Sequence, residues 1–281
     1  MLQRVRPWLG TLVEIRVDAA TPALALGALE AGFAAIEDVH RRLSFHERDS
    51  ELSHLNRDAA TRTIAVSPMT AEVLRAALDL AQASDGAFDP TLGARLVDAR
   101  ARPRPEHAPD AHEDASWRDV VIDANDTVTF LRPLWLDLGG IAKGFAVDVA
   151  LAALLRLGAR AGVVNAGGDL AVFGAMEQPI FLRAANDDGR LIELGALRDG
   201  AAAGSAVHGE SAGTHFDGRD RRPLRESCAV SVIAPRCMAA DALTKLMLID
   251  AIAATRLLPR YGAVACVASA DGTLHRYGAG A

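Results

Sequence analysis

One stretch constrains this chain more than any other: Leu136-Asp137-Leu138-Gly139-Gly140-Ile141-Ala142-Lys143-Gly144-Phe145-Ala146-Val147-Asp148. A strand-like apolar run ends on an acidic residue, and two glycines let the backbone turn closely. A helix follows, expected from about Ala142 to Leu157 with Gly158 as its stop. The first N–H groups of such a helix have no partner inside it, so they face whatever lies at the turn. That makes a seat for a phosphate or pyrophosphate, to which Lys143 can add charge. The pattern is neither G-x-G-x-x-G nor a P-loop with its Gly-Lys-Ser/Thr, so the common nucleotide fingerprints do not apply. On the residues alone, a plain tight turn is the competing reading.

A second glycine-rich stretch, Val163-Val164-Asn165-Ala166-Gly167-Gly168-Asp169-Leu170, interrupts a strand-like run from Val163 to Phe173. It reads either as a bend or bulge or as a close approach of backbone to ligand. Elsewhere, Thr11 to Val17 alternates in the manner of a half-buried strand. Leu26, Leu29, Phe33, Ile36, Val39 and Leu43 recur at steps of three and four after Pro22, which describes an amphipathic helix. Ser67-Pro68 opens another helix, running to about Ser84 and closed by Asp85-Gly86. Residues 100–119, with Pro103, Pro105 and Pro109 among many charges, read as a solvated loop. Further strands are expected at Val120 to Asp123, Thr127 to Leu131, Leu134 to Leu138, Cys228 to Ala234 and Ala263 to Ala268. Hairpin-like strand runs mixed with separated helices favour an α+β fold, one domain over residues 1–281 with a loop insertion at about 100–119.

The chain has 281 residues, about half of them hydrophobic, and a formal net charge of −6. Its basic cluster Arg219 to Arg222 is broken by Asp220, so the broad basic surface that nucleic acid requires is missing. No stretch is apolar for long enough to cross a bilayer. The start, MLQRVRPWLGTLVEIRV, has no signal-peptide h-region, and Cys228, Cys237 and Cys266 form no C-x-x-C pair. A cytoplasmic protein with reduced thiols is the expectation.

The run LDLGGIAKGFAVD, followed about twenty residues later by VNAGGDLAVFG, resembles the central signature of the ApbE family, the FAD:protein FMN transferases. LGTLVEIRV, LSFHERDSELSHLN, ASDGAFDPTLGARLV, THFDGR and AADALT agree with it in order, from about Leu9 to Leu258. The resemblance implies mixed or antiparallel sheets with packed helices around an FAD cleft, and a divalent metal, usually Mg²⁺. It also implies transfer of FMN from FAD to a Thr or Ser of an acceptor protein, with AMP released. Leu9 falls where the family has a flavin-contacting Met, and Phe45 where an aromatic packs on FAD. Phe88, Asp89 and Thr91 match a segment bordering the adenine or ribose, although Asp89-Pro90 reads equally as a turn. Asp137 and Lys143 fall on cofactor-contacting positions, Asp169 on an acidic one, and the Gly140 carbonyl on a metal-ligand position. His215, in THFDGR, matches a family histidine that can accept the target's hydroxyl proton.

The family's metal motif, approximately A-D-A-x-x-T, appears as Ala240-Asp241-Ala242-Leu243-Thr244-Lys245. Asp241 is in place, but Lys245 stands where the Thr belongs and Thr244 comes one residue early. Two readings stay open: the ammonium pairs with Asp241 and takes over part of the cation's charge, or Thr244 still reaches the ion while Lys245 contacts phosphate. A W-G-F-G-like segment after TLGARLV is replaced by Asp98-Ala99-Arg100, and A-T-S-G by Ala203-Gly204-Ser205-Ala206. The expected function is FMN transfer to a protein; the alternative is a protein that binds or hydrolyses FAD without modifying a target.

Overall fold

The structure is a computed structural model that describes residues 1–184, 190–207 and 214–278. Its contacts gather the chain into two compact units. One comprises Met1–His40, Lys143–Ala212 and Arg225–Ala281; the other comprises Arg41–Ala142 and Gly213–Leu224.

The first unit is built on an eight-stranded antiparallel sheet whose spatial order follows the chain. Its strands are Leu2–Trp8, Thr11–Ala19, Ala159–Ala166, Asp169–Phe173, Gly200–Val207, Cys228–Ala234, Val264–Ser269 and Leu274–Tyr277. Val13, Ile15 and Val17 on the second strand are wholly buried, as their alternation requires. One face of the sheet lies under helix α1 (Pro22–Leu43), where Leu29, Phe33 and Ile36 join Val147, Ala150 and Leu154 of another helix, Ala142–Arg156. Leu26 is 46% exposed and Ala25 takes its place in the core, so the buried stripe is one residue out of phase with the expected one at its start. The other face is covered by a hairpin of Gln178–Arg183 and Leu191–Leu197, which packs Ile180 and Leu194 against Val163, Leu170, Val172 and Ala202. Covered on both faces, Gly200–Val207 buries Ala201, Ala202 and Ala203 in succession. Such a strand has no alternating pattern, and the sequence gives no sign of it.

The second unit carries three helices, α2 (Glu51–Asp58), α3 (Pro68–Ala83) and α4 (Gly93–Asp98). They accompany a small sheet of Ile64–Ala65, Thr127–Phe130 and Val120–Ile122. Ser50 and Ser67 cap α2 and α3 by accepting the N–H of Ser53 and Thr70. Leu134 to Leu138 is not a ladder strand: only Trp135 bridges, to Leu92. Its backbone is held instead by the buried Asn56, whose Oδ1 accepts the Leu136 N–H at 2.7 Å and whose Nδ2 donates to the Leu136 carbonyl at 3.0 Å. The segment 100–119 is only partly a solvated loop, because Ala108 and Ala115 are buried and the Trp135 indole donates to the Pro109 carbonyl.

The helix Ala142–Arg156 is α5, and a last one, Cys237–Thr255, is α6, broken at Asp250. The mixed architecture with antiparallel sheets and packed helices agrees with the α+β expectation. Among the described residues no helix is long and apolar enough to cross a membrane.

Candidate functional site

Helices α5 and α6 cap each other, and the candidate site grows from that exchange. Asp148 on α5 accepts the N–H groups of Cys237 (2.8 Å) and Met238 (3.0 Å) in the first turn of α6. Asp241 on α6 accepts the N–H of Gly144 in the first turn of α5 at 2.9 Å. Each carboxylate satisfies donors that a helix start leaves unpaired and sits where the helix dipole favours negative charge. Asp148→Ala is expected to lower unfolding free energy by about 1–2 kcal/mol, the usual loss for a cap, read from a shift in the urea midpoint. An unchanged midpoint would show that water replaces the cap.

The part of the first glycine-rich stretch from Lys143 onward lies in the same unit as the second stretch. Gly167 and Gly168, at φ of +63° and +103°, are the two-residue turn between the strands Ala159–Ala166 and Asp169–Phe173. The interruption is therefore a hairpin turn, not a bulge, and both positions use conformations open to glycine. The Gly168 N–H is held by Asn165 Oδ1 at 2.9 Å. Asp169 follows directly, wholly buried, and its Oδ2 lies 2.9 Å from Lys143 Nζ. Lys143 stands on the stripe of α5 that continues through Val147, Ala150 and Leu154 into the core.

A second ion pair adjoins. Lys245 Nζ is 2.5 Å from Asp241 Oδ1, 2.9 Å from Ser205 Oγ and 3.1 Å from Thr244 Oγ1. Thr244 donates back to the Asp241 carbonyl at 2.6 Å and accepts from the Ser205 hydroxyl at 2.7 Å. Asp241 and Thr244 are wholly buried. Burial would lower the Lys143 pKa, but the charges of Asp169 and then Asp241 outweigh it and hold the ammonium above the ordinary lysine value. Asp169 is pushed up to about 6, by burial first and the Asp241 charge second, against the pull of Lys143 and Lys245. Burial also raises the thiol of Cys237 well above its ordinary range, so that cysteine is an inert core residue.

The sign of the resulting pH effect is fixed. A carboxyl whose folded-state pKa lies above its ordinary 3.8 favours folding when protonated, so its contribution is full below about pH 4 and lost as pH rises through about 6. Asp169→Asn should flatten the dependence of unfolding free energy on pH in that window. Parallel profiles for the two proteins would contradict the assignment.

The cluster does not fit a divalent ion as it stands. Both Asp241 oxygens already accept from protein donors, Thr244 is turned onto its own helix, and Lys143 and Lys245 together neutralise Asp169 and Asp241. Among the described residues no three His, Cys, Asp or Glu side chains group as metal ligands. A cavity of about 320 Å³ borders Ser205, Gly204 and the Gly167-Gly168 turn. Leu9 lies in the turn between the first two strands at φ +57°, a conformation that leucine rarely adopts, and packs partly on the core.

In the other unit, Phe45 and Phe88 are buried. Asp89 Oδ1 accepts both the N–H (2.8 Å) and the hydroxyl (2.6 Å) of Thr91, so the Asp-Pro-Thr stretch is at least a self-bonded turn. Burial raises the Asp89 carboxyl pKa, against the hydrogen bonds from Thr91. Asp137 is gripped by Arg102 Nε at 2.6 Å and by the Gly139 N–H at 2.9 Å, which fixes the turn that carries Gly140. His215 has its Nδ1 3.4 Å from the Thr214 hydroxyl and its carbonyl bonded by the Leu224 N–H. Arg102, Asn56 and Asp148 were not singled out from the sequence. Asp148 closes the LDLGGIAKGFAVD run and Asn56 closes LSFHERDSELSHLN, so motif membership was the available signal; Arg102 had none.

The model of the ApbE family matches residues 9–268. The chain belongs to the ApbE family. It is 32% identical over 260 residues to the FAD:protein FMN transferase of Rhodobacter capsulatus, covering 83% of this chain and 48% of that protein. The FAD:protein FMN transferase of Treponema pallidum is 32% identical over 180 residues, 59% of this chain and 50% of that protein. The chain thus spans about half the length of these two relatives. With the protein of that name from Haemophilus influenzae it shares 29% identity over 241 residues, 75% of this chain and 69% of the relative. Among solved structures, the ApbE protein of Thermotoga maritima superposes with a TM-score of 0.83 at 24% identity, over 98% of this chain and 96% of that one. The flavin transferase ApbE of Vibrio cholerae gives 0.78 at 23% identity over the same shares. These likenesses show that the fold is that of ApbE proteins.

Proposed function

We propose that this ApbE-family chain is an FAD:protein FMN transferase. The observation that carries the reading is that the two family signatures, neighbours in sequence, are joined by an ion pair between Lys143 and the buried Asp169, beside Asp241 and Lys245. The names of the relatives supply the reaction class. In that reaction a Thr or Ser hydroxyl of an acceptor protein attacks the FMN phosphorus of FAD. The P–O bond to the AMP half breaks, and AMP leaves with the bridging oxygen. Phosphoryl transfer of this kind asks a protein for positioning and for charge at the phosphate oxygens. Lys143, kept protonated by its carboxylate neighbours, supplies that charge, and Asp169 fixes where it points. His215 takes the hydroxyl proton.

Leu9, Phe45 and Phe88 are assigned to the apolar surface of FAD; the positive φ of Leu9 belongs to the two-residue turn Leu9-Gly10 between the paired Trp8 and Thr11. Asp89, Thr91 and Asp137 are assigned to hold the turns that contact the adenosine half, which accounts for their closed hydrogen-bond sets. Mg²⁺, the usual partner in the family, was expected on Gly140, Asp241 and Thr244. Asp241 and Thr244 are already engaged by protein groups and do not fit the ion as they stand.

The test is to incubate the protein with FAD and an acceptor domain bearing a Thr or Ser target, then to look for covalent flavin fluorescence in a denaturing gel. A labelled acceptor with FAD, and none with FMN in its place, is the expected result. An unlabelled acceptor beside tightly bound FAD would overturn the proposal. Release of free FMN and AMP without labelling would establish the hydrolysing alternative.

A further inference from the structure

We infer that the Lys245 ammonium takes the place of a divalent ion beside Asp241, so that this chain handles the FAD pyrophosphate without a metal at that position. The inference rests on the transferase reading above and concerns the same site. An ammonium has three donors and no acceptor. Those of Lys245 meet three oxygens, Asp241 Oδ1, Ser205 Oγ and Thr244 Oγ1, between 2.5 and 3.1 Å, which is the arrangement of a small cation in an oxygen shell. The position is specified by helical spacing, since i and i+4 on α6 put Asp241 and Lys245 on one face.

What a divalent ion would need is taken. Mg²⁺ demands oxygen ligands at about 2.0–2.1 Å in octahedral array. At that distance from Asp241 Oδ1 it would share its nearest ligand with an ammonium, and the second oxygen of Asp241 serves the Gly144 N–H. Thr244, which could have followed the ion from i+3, donates its proton to the Asp241 carbonyl. Asp169 and Asp241 are balanced by Lys143 and Lys245, leaving no net negative charge to attract a dication. With all three donors spent on the protein, Lys245 acts as a fixed positive charge, and Lys143 is the ammonium left to meet phosphate.

Mn²⁺ is the probe, with its free-ion electron paramagnetic resonance signal titrated against protein and FAD, FAD alone serving as the blank. The wild-type chain should leave the free Mn²⁺ signal at the level of the blank, and FAD binding should be unchanged by EDTA. Lys245→Thr should bind Mn²⁺ at least tenfold more tightly than wild type. Stoichiometric Mn²⁺ binding by the wild type, or no gain in a folded Lys245→Thr, would overturn the inference. If Lys245→Thr does not fold, the wild-type titration decides alone. Absence of acceptor labelling under every condition would count against the transferase reading and would leave the Mn²⁺ result to judge the role of Lys245.

Discussion

Asp241→Ala is expected to lower the unfolding free energy by about 3–5 kcal/mol, the usual consequence of removing one partner of a buried pair. The carboxylate is wholly buried, and its loss strands both the Lys245 ammonium, with a side chain 19% exposed, and the Gly144 N–H at the start of α5. The urea midpoint measures the effect. The cause is separable: adding Lys245→Met to Asp241→Ala should recover part of the loss, because it removes the stranded charge. If the double variant is no more stable than the single one, the ion pair is not the reason. Asp241→Asn tests the other half, since an amide can still accept the Gly144 N–H while leaving Lys245 without a counter-charge.

Gly144→Ala should be nearly as damaging, against the ordinary trend. Glycine inside a helix costs about 1 kcal/mol relative to alanine, so the substitution would normally stabilise. Here the added methyl would overlap the carbonyl oxygen of Cys237 and come within 2.8 Å of the Asp241 Cβ. Both contacts belong to α6, one its backbone and the other the base of a wholly buried side chain one turn on, so α6 must move away from α5 to admit it. Overpacking typically costs 1–3 kcal/mol, and about 3 is expected where backbone has to shift. That shift would also open the hydrogen bonds from Cys237 and Met238 to Asp148. Thermal unfolding and FAD affinity should fall together, and a more stable Gly144→Ala would mean that the two helices do not approach as described.

Much of the scaffold was legible because its signals are local. The strand Cys228–Ala234 lies where its apolar run puts it, and α3 and α5 begin and end within a residue or so of Ser67-Pro68 and Gly158. Gly200–Val207 was not legible, since a strand covered on both faces loses the alternation that identifies one. Nor was the hairpin at Gly167-Gly168, where the continuous apolar run on either side hid a reversal of direction. Leu134–Leu138 read as a strand from composition, whereas its backbone finds its partner in a side chain eighty residues away in sequence, Asn56.

The candidate site divides in the same manner. Lys143, Asp169, Asp241 and Thr244 could be singled out by motif, and the structure brings these four together in one unit. Phe45, Phe88, Asp89, Thr91, Asp137, Gly140 and His215 fall in the other. Spacing allowed Lys245 to pair with Asp241 or to reach outward, and only the positions of Ser205 and Thr244, which complete its oxygen shell, separate the two. The reciprocal capping by Asp148 and Asp241 depends on two helix starts lying side by side, which no local pattern reports.

The most direct test of the account is intact-mass spectrometry of an acceptor protein after incubation with this chain and FAD in the presence of EDTA. The account predicts that the acceptor gains the mass of one FMN in phosphoester linkage, with one AMP released for each. An acceptor of unchanged mass, or one modified only after Mg²⁺ is restored, would contradict it.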